Sequence, residues 1–165
     1  MKTYRLEFNQ KIPVPLEKAW DFFSSPLNLA DITPADMTFD VTSPISKEDK
    51  MYAGMIITYK VAPLFGIKLD WVTEITHVKD QEYFIDEQRF GPFAFWHHYH
   101  HFESIPGGVL MRDILHYSIG WGPIGAVANA AIVNNKIKAI FDYRYKKVES
   151  LFGTLFNSAV KQLNS

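Results

Sequence analysis

The chain has 165 residues, 47% of them hydrophobic and 21% charged, with a formal net charge of −1. That length suits one domain with a substantial core, and that charge excludes a basic field for nucleic acid or a polybasic membrane patch. Cysteine is absent, which removes disulfides and thiolate metal sites and suits a reducing compartment.

The segment Met1-Lys-Thr-Tyr-Arg-Leu-Glu7 places charges where a signal peptide needs an apolar run. Ile119 to Val133 leans apolar but is interrupted by Gly120, Gly122, Pro123, Gly125 and Asn129. It falls short of the roughly 20 residues that span a bilayer. The expectation is a single cytoplasmic domain over 1–165 with no membrane span.

Tyr4 to Ile12 alternates Tyr4, Leu6 and Phe8 with Arg5, Glu7 and Asn9, the pattern of a half-buried strand. Pro13 and Pro15 end it. Leu16, Ala19, Trp20 and Phe23 then recur at helical spacing, with Glu17 at the positive end of the helix dipole. A second short helix starts at Pro26 and stops at Thr33-Pro34. Met37 to Thr42 reads as a strand, and Ser43 to Lys50 as a charged loop.

From Met55 the pattern is strands alone. Met55, Ile57, Tyr59 and Val61 share a face, and Pro63 to Gly66 forms a turn. Ile67 to Val78 sets Trp71, Thr73 and Ile75 on one side; Glu82 to Phe90 groups Phe84, Asp86 and Gln88. The next strand, within Gly91 to Glu103, holds four of the six histidines. Its alternation sends Trp96, His98, His100 and Phe102 one way, and His97, Tyr99 and His101 the other. After the Pro106-Gly107 turn, a strand runs from Val109 to Ile119.

Gly120-Trp-Gly122 reads as a loop from sheet to helix, and as a candidate mobile lid carrying Trp121. The chain is helical beyond it. Ile137, Phe141, Tyr145, Val148, Phe152 and Leu155 make one stripe, with Lys136, Lys138, Arg144, Lys146 and Lys147 covering the rest. The order strand, two short helices, antiparallel strands, long helix is an α+β layout. A curved sheet around a terminal helix leaves space for a ligand between them.

A tight turn between Pro106 and Gly107 pairs residues whose numbers sum to 213, setting His100 opposite Asp113, His98 opposite Leu115, Trp96 opposite Tyr117 and Phe102 opposite Met111. A turn at Pro92 sets Asp86 opposite His98 and Gln88 opposite Trp96. The expected cluster is His98, His100, Asp86, Asp113 and Gln88, ringed by Trp71, Phe84, Trp96, Phe102 and Tyr117. Tyr59, Thr73 and Phe141 complete the candidate ligand-binding set.

Three readings of this cluster stand side by side. The His–Asp pairs can satisfy one another structurally. They can bind the polar end of an apolar or aromatic ligand. Or His98 or His100, oriented by Asp86 or Asp113, can act as a general acid/base. His98-x-His100 with a neighbouring carboxylate also matches a three-ligand metal pattern, although Glu103 falls on the opposite face. No metal and no cofactor is expected, and His97, His101 and His116 are expected on a solvated outer face. An interaction module, with a homodimer formed through that outer face, is the remaining reading.

Four segments resemble the START-like helix-grip superfamily, which includes pollen allergens, polyketide cyclases/aromatases and lipid-transfer domains. They are Ile12-Pro-Val-Pro-Leu-Glu-Lys-Ala-Trp-Asp-Phe-Phe23; Asn28-Leu-Ala-Asp-Ile-Thr-Pro34; Phe84-Ile-Asp-Glu-Gln88 running into Trp96-x-His98-x-His100-x-Phe102; and Ile140-Phe-Asp-Tyr-Arg144. The resemblance is strongest to a bacterial branch of polyketide-cyclase-like proteins. It implies a helix-grip fold, with a sheet of about seven antiparallel strands wrapped around a long C-terminal helix, two short helices after the first strand, and a hydrophobic cavity. It leaves function open, because this scaffold serves very different molecules.

Overall fold

The computed structural model describes residues 2–62, 67–120, 122–128 and 132–155. The expected turn at Pro63 to Gly66 and the expected lid residue Trp121 lie outside them. In chain order the elements are β1 (Tyr4–Ile12), α1 (Leu16–Phe23), α2 (Asn28–Asp31), a 3-10 turn (Ala35–Met37), β2 (Asp40–Val41), β3 (Met55–Val61), β4 (Leu69–Lys79), β5 (Tyr83–Phe90), β6 (Phe95–Ile105), β7 (Gly108–Ser118), α3 (Gly122–Ala128) and α4 (Asn134–Phe152). The strands form one antiparallel sheet in the order β1-β7-β6-β5-β4-β3-β2.

Alternation governs the sheet. On β7, Val109, Met111, Asp113, Leu115 and Tyr117 are buried while the residues between them are partly exposed. The β6–β7 hairpin adopts the expected register, with His100 facing Asp113 and His98 facing Leu115. On its other side β6 sets His98 against Asp86. Register shifts between Val72 and Thr73 and between Ile75 and His77 interrupt the β4–β5 ladder. Such irregularities bend and twist a sheet locally.

The sheet is far wider than the helix on it. Seven strands at about 4.8 Å spacing span about 29 Å, whereas a helix with its side chains is about 10–12 Å across. Helix α4 covers the β1–β7–β6 side: Phe141 stacks on Phe8 at 3.9 Å between ring centroids, and Ile137 packs with Leu115 and Tyr117. Gln10 on β1 donates to the Tyr145 carbonyl at 2.9 Å. Helix α1 covers the hairpin end, where Trp20 meets Phe84 and Phe102 edge-on. The inner face of β3 and β4, carrying Ile57, Tyr59, Trp71 and Ile75, forms a separate cluster. What lies between the clusters is a cavity.

Three expectations are corrected. The strand expected from Met37 to Thr42 shrinks to Asp40–Val41, because Ala35–Met37 forms a 3-10 turn whose Met37 carbonyl accepts from Ala62 N–H at 2.6 Å. On α4, Tyr145 is 43% exposed, so it leaves the buried stripe. His97 is not simply solvated; it sits 2.9 Å from Glu87 on the outer face.

The Pro106-Gly107 turn needs two glycines for different reasons. Gly107 has φ +82°, a left-handed conformation that side chains adopt with strain. A Cβ on Gly108 would lie 2.1 Å from the Ile12 carbonyl oxygen. Replacing Gly108 with Ala is therefore expected to force β1 and β7 apart and cost about 2–3 kcal/mol of stability. Urea unfolding followed by tryptophan fluorescence checks this; an unchanged midpoint would contradict the packing described.

Candidate functional site

The cavity has a volume of about 290 Å³. Its sheet wall is Ile57, Tyr59, Trp71, Thr73, Ile75, Phe84, Trp96 and Met111; the segment between α1 and β2 supplies Leu29 of α2, Ile32, Met37 of the 3-10 turn and Phe39; α4 supplies Ile137, Ile140, Phe141 and Arg144. Nine of the residues expected to form the ligand wall border it: Tyr59, Trp71, Thr73, Phe84, Asp86, Trp96, His98, His100 and Phe141.

The others lie elsewhere. Phe102 packs with Trp20 and Phe23 in the core under α1, and Tyr117 is fully buried beside Tyr4 and Phe93. Gln88 turns away from the cluster. Its amide donates to the Phe93 carbonyl at 2.6 Å and accepts from Phe93 N–H at 3.2 Å, so it holds the Gly91-Pro92 turn closed. Asp113 sits behind the histidines, bordering a second crevice between β1 and α4 that includes Asn9, Gln10 and Tyr145.

The four central groups form a closed ring. His98 Nδ1 is 3.3 Å from Asp86 Oδ2 and its Nε2 is 3.1 Å from Asp113 Oδ1. His100 Nε2 is 2.8 Å from Asp86 Oδ2 and its Nδ1 is 2.7 Å from Asp113 Oδ1. Each imidazole therefore faces one carboxylate on the cavity side and another behind. Only the His100–Asp86 contact also has hydrogen-bond alignment; His98 Nε2, His100 Nδ1 and Asp113 Oδ1 are buried without an aligned partner. Trp96 Nε1 donates to the second Asp86 oxygen at 3.3 Å.

Strand geometry places this ring. His98 and His100 are two apart on β6 and so share a face, and β5 and β7 bring one aspartate from either side. Burial of an isolated charge is costly, and here opposite charges offset it. Burial pushes the His98 imidazolium toward deprotonation, but the Asp86 charge and the Asp113 contact outweigh it and hold the pKa at about 9. Burial likewise works to neutralise Asp86 and Asp113, and the two histidines outweigh it, holding both carboxyls well below their usual range. Tyr59, buried and hydrogen-bonded to Thr73, has its pKa pushed up by desolvation and then by the Asp86 charge, so it stays a neutral phenol.

Asp86, His98 and His100 each offer a ligand atom, all within 4.8 Å of one another. They are the residues that could hold a metal ion. The same arrangement can bind a polar substituent or exchange a proton with a molecule in the cavity.

Two residues expected on the remaining surface of the helix, Lys136 and Arg144, border the cavity instead, and the Arg144 guanidinium lies 4.9 Å from the Phe141 ring centroid. Burial pulls its pKa below the usual value, the charges of Asp113 and Asp86 opposing that pull. The available signal was spacing: Arg144 stands three residues after Phe141 and four before Val148, both buried on α4.

Among the described residues, no helix is long and apolar enough to cross a membrane. No protein-family model and no curated protein matches the chain. Solved structures do. Protein CV1439 from Chromobacterium violaceum is 14% identical over 90% of this chain and 97% of its own, with a TM-score of 0.68. Ara h 8.0201 is 15% identical over 90% of this chain and 99% of its own, at 0.59. Norcoclaurine synthase from Thalictrum flavumn is 13% identical over 90% and 96%, at 0.62. At these identities the likeness establishes the fold, and that fold is the START-like helix-grip.

The ring makes stability depend on pH. His98 has a folded pKa of about 9 against a reference of 6.5, so its stabilisation is complete below pH 6.5 and is lost as pH rises through about 9. The lost increment is on the order of 3 kcal/mol. Melting temperatures taken between pH 6 and 9.5 are expected to fall for the parent chain. The His98→Gln variant should lack that component of the fall, and an equal fall in both would exclude His98 as its source.

Proposed function

We propose that a chain with this fold and cavity binds a small, largely apolar or aromatic molecule between sheet and α4. The observation that carries the reading is an apolar cavity of about 290 Å³ with Asp86, His98 and His100 grouped on its sheet wall. Ligand pockets have this build, a hydrophobic lining with a few convergent polar groups that fix orientation. Among the solved structures of this fold, the norcoclaurine synthase is in complex with a transition state analogue.

A neutral probe of suitable size tests the reading. 2-Naphthamide, titrated calorimetrically, is expected to bind the parent chain with one site. Ile57→Trp, which fills the cavity from β3, should weaken it at least tenfold. Binding that survives Ile57→Trp unchanged would place the probe elsewhere; no binding to the folded parent chain would count against the cavity as a ligand site.

The ring favours one second reading, an enzyme of polyketide-cyclase type. Two imidazoles face the cavity, each oriented by carboxylates, which is the arrangement a general acid/base requires. With a substrate in hand, His98→Gln and His100→Gln should each lower kcat by about 10²–10⁴-fold. Their effect on 2-naphthamide affinity should stay within about threefold. Unchanged turnover in both variants would leave binding alone.

A further inference from the structure

Five side chains that carry or can carry charge border the cavity: Asp86, His98, His100, Lys136 and Arg144. Four have partners. Asp86 lies between the two histidines, and Lys136 meets Asp36 at 3.1 Å on the exposed rim. Arg144 differs. It makes no hydrogen bond or ion pair to any described residue, and its Nε is fully buried. Its described contact is the face of Phe141.

We propose that Arg144 anchors an acidic group of the ligand, so that the molecule taken up is an aromatic or alicyclic carboxylic acid rather than a neutral one. The inference rests on the ligand-binding reading and narrows its chemical class. A guanidinium presents a rigid fork of donors that matches a carboxylate bidentately. Left unpaired beside apolar walls, it loses solvation without gaining a counter-charge.

Among the described residues no carboxylate fills that role: Asp142, which lines the β1–α4 crevice with Arg144, makes no ion pair with it. Asp86 and Asp113 are taken up by the histidine ring, and neither comes within salt-bridge reach of Arg144. Glu7, which borders the crevice on the far side of Arg144, is paired with Arg5. Because Phe141 and Arg144 are adjacent on the cavity wall, an acid held by Arg144 directs an attached ring toward the aromatic lining. Phe141 also meets His98 at 5.6 Å between ring centroids, so the acid end lies near the polar ring and the apolar end toward β3 and β4.

Three probes separate the possibilities on the full chain: 2-naphthoate, its neutral isostere 2-naphthamide, and acetate. The parent chain is expected to bind 2-naphthoate roughly 10- to 100-fold more tightly than 2-naphthamide, the range of a charge-assisted bond. Acetate should bind far more weakly than either. Arg144→Met should abolish the preference while leaving 2-naphthamide affinity within about threefold, and Arg144→Lys should keep part of it. No preference in the parent chain overturns the proposal, whatever the fate of the variants. So does a preference that persists in a folded Arg144→Met protein. Acetate binding as tight as 2-naphthoate would mark a bare anion site in the β1–α4 crevice and also overturn it. The two levels fail differently: binding of both naphthalene probes without preference removes the acid alone, whereas binding of neither removes the cavity reading with it.

Discussion

The mismatch in width between one helix and seven strands governs this molecule. α4 can close only part of the concave face, and it does so over β1, β7 and β6, where Phe8, Leu115 and Tyr117 meet Phe141 and Ile137. α1 closes the hairpin end through Trp20 and Phe23. The face of β3 and β4 meets Phe39 and its neighbours rather than either of these helices, and lines a space. An apolar face of that kind, unfilled, loses dispersion contacts on one side. The cavity is thus a consequence of how the elements cover one another.

The charged ring sits at the edge of that cover, where Phe141 of α4 meets His98 and the cavity begins. Its four members come from three adjacent strands, so their separations are set by ladder geometry instead of by loops. Strand-borne groups hold their positions better than loop-borne ones. The same arrangement carries a cost, because two carboxylates and two imidazoles are removed from water together. Removing one member leaves the others uncompensated, which is more damaging than the net worth of the intact set.

Much of this was legible from residue order. A period of two leaves no ambiguity about faces, and a tight turn fixes which residues oppose each other, so His98, His100, Asp86 and Asp113 could be brought together on paper. Gln88 could not: the alternation was right, but the hairpin needed its amide to close the turn at Phe93. Arg144 was hidden for a different reason. A helix presents a broad face, and a stripe through Phe141 and Val148 can pass through either Arg144 or Tyr145. Only the position of β1, whose Gln10 side chain donates to the Tyr145 carbonyl while the Tyr145 ring stays outside, decides between them. Leu29, Ile32 and Met37, between α1 and β2, were equally silent, since nothing periodic connects them to strands far along the chain.

Phe141 and Arg144 border both the cavity and the crevice behind it, and so form part of the partition between two spaces of about 290 and 260 Å³. That part of it belongs to the helix, and the charged ring belongs to the sheet. The capacity of the site and its chemistry are therefore carried by different elements. Trimming Phe141 would merge the two chambers and lengthen the molecule that fits, with every strand register intact. In a lineage built on this scaffold, ligand size can drift at one helical position while the polar apparatus is inherited unchanged.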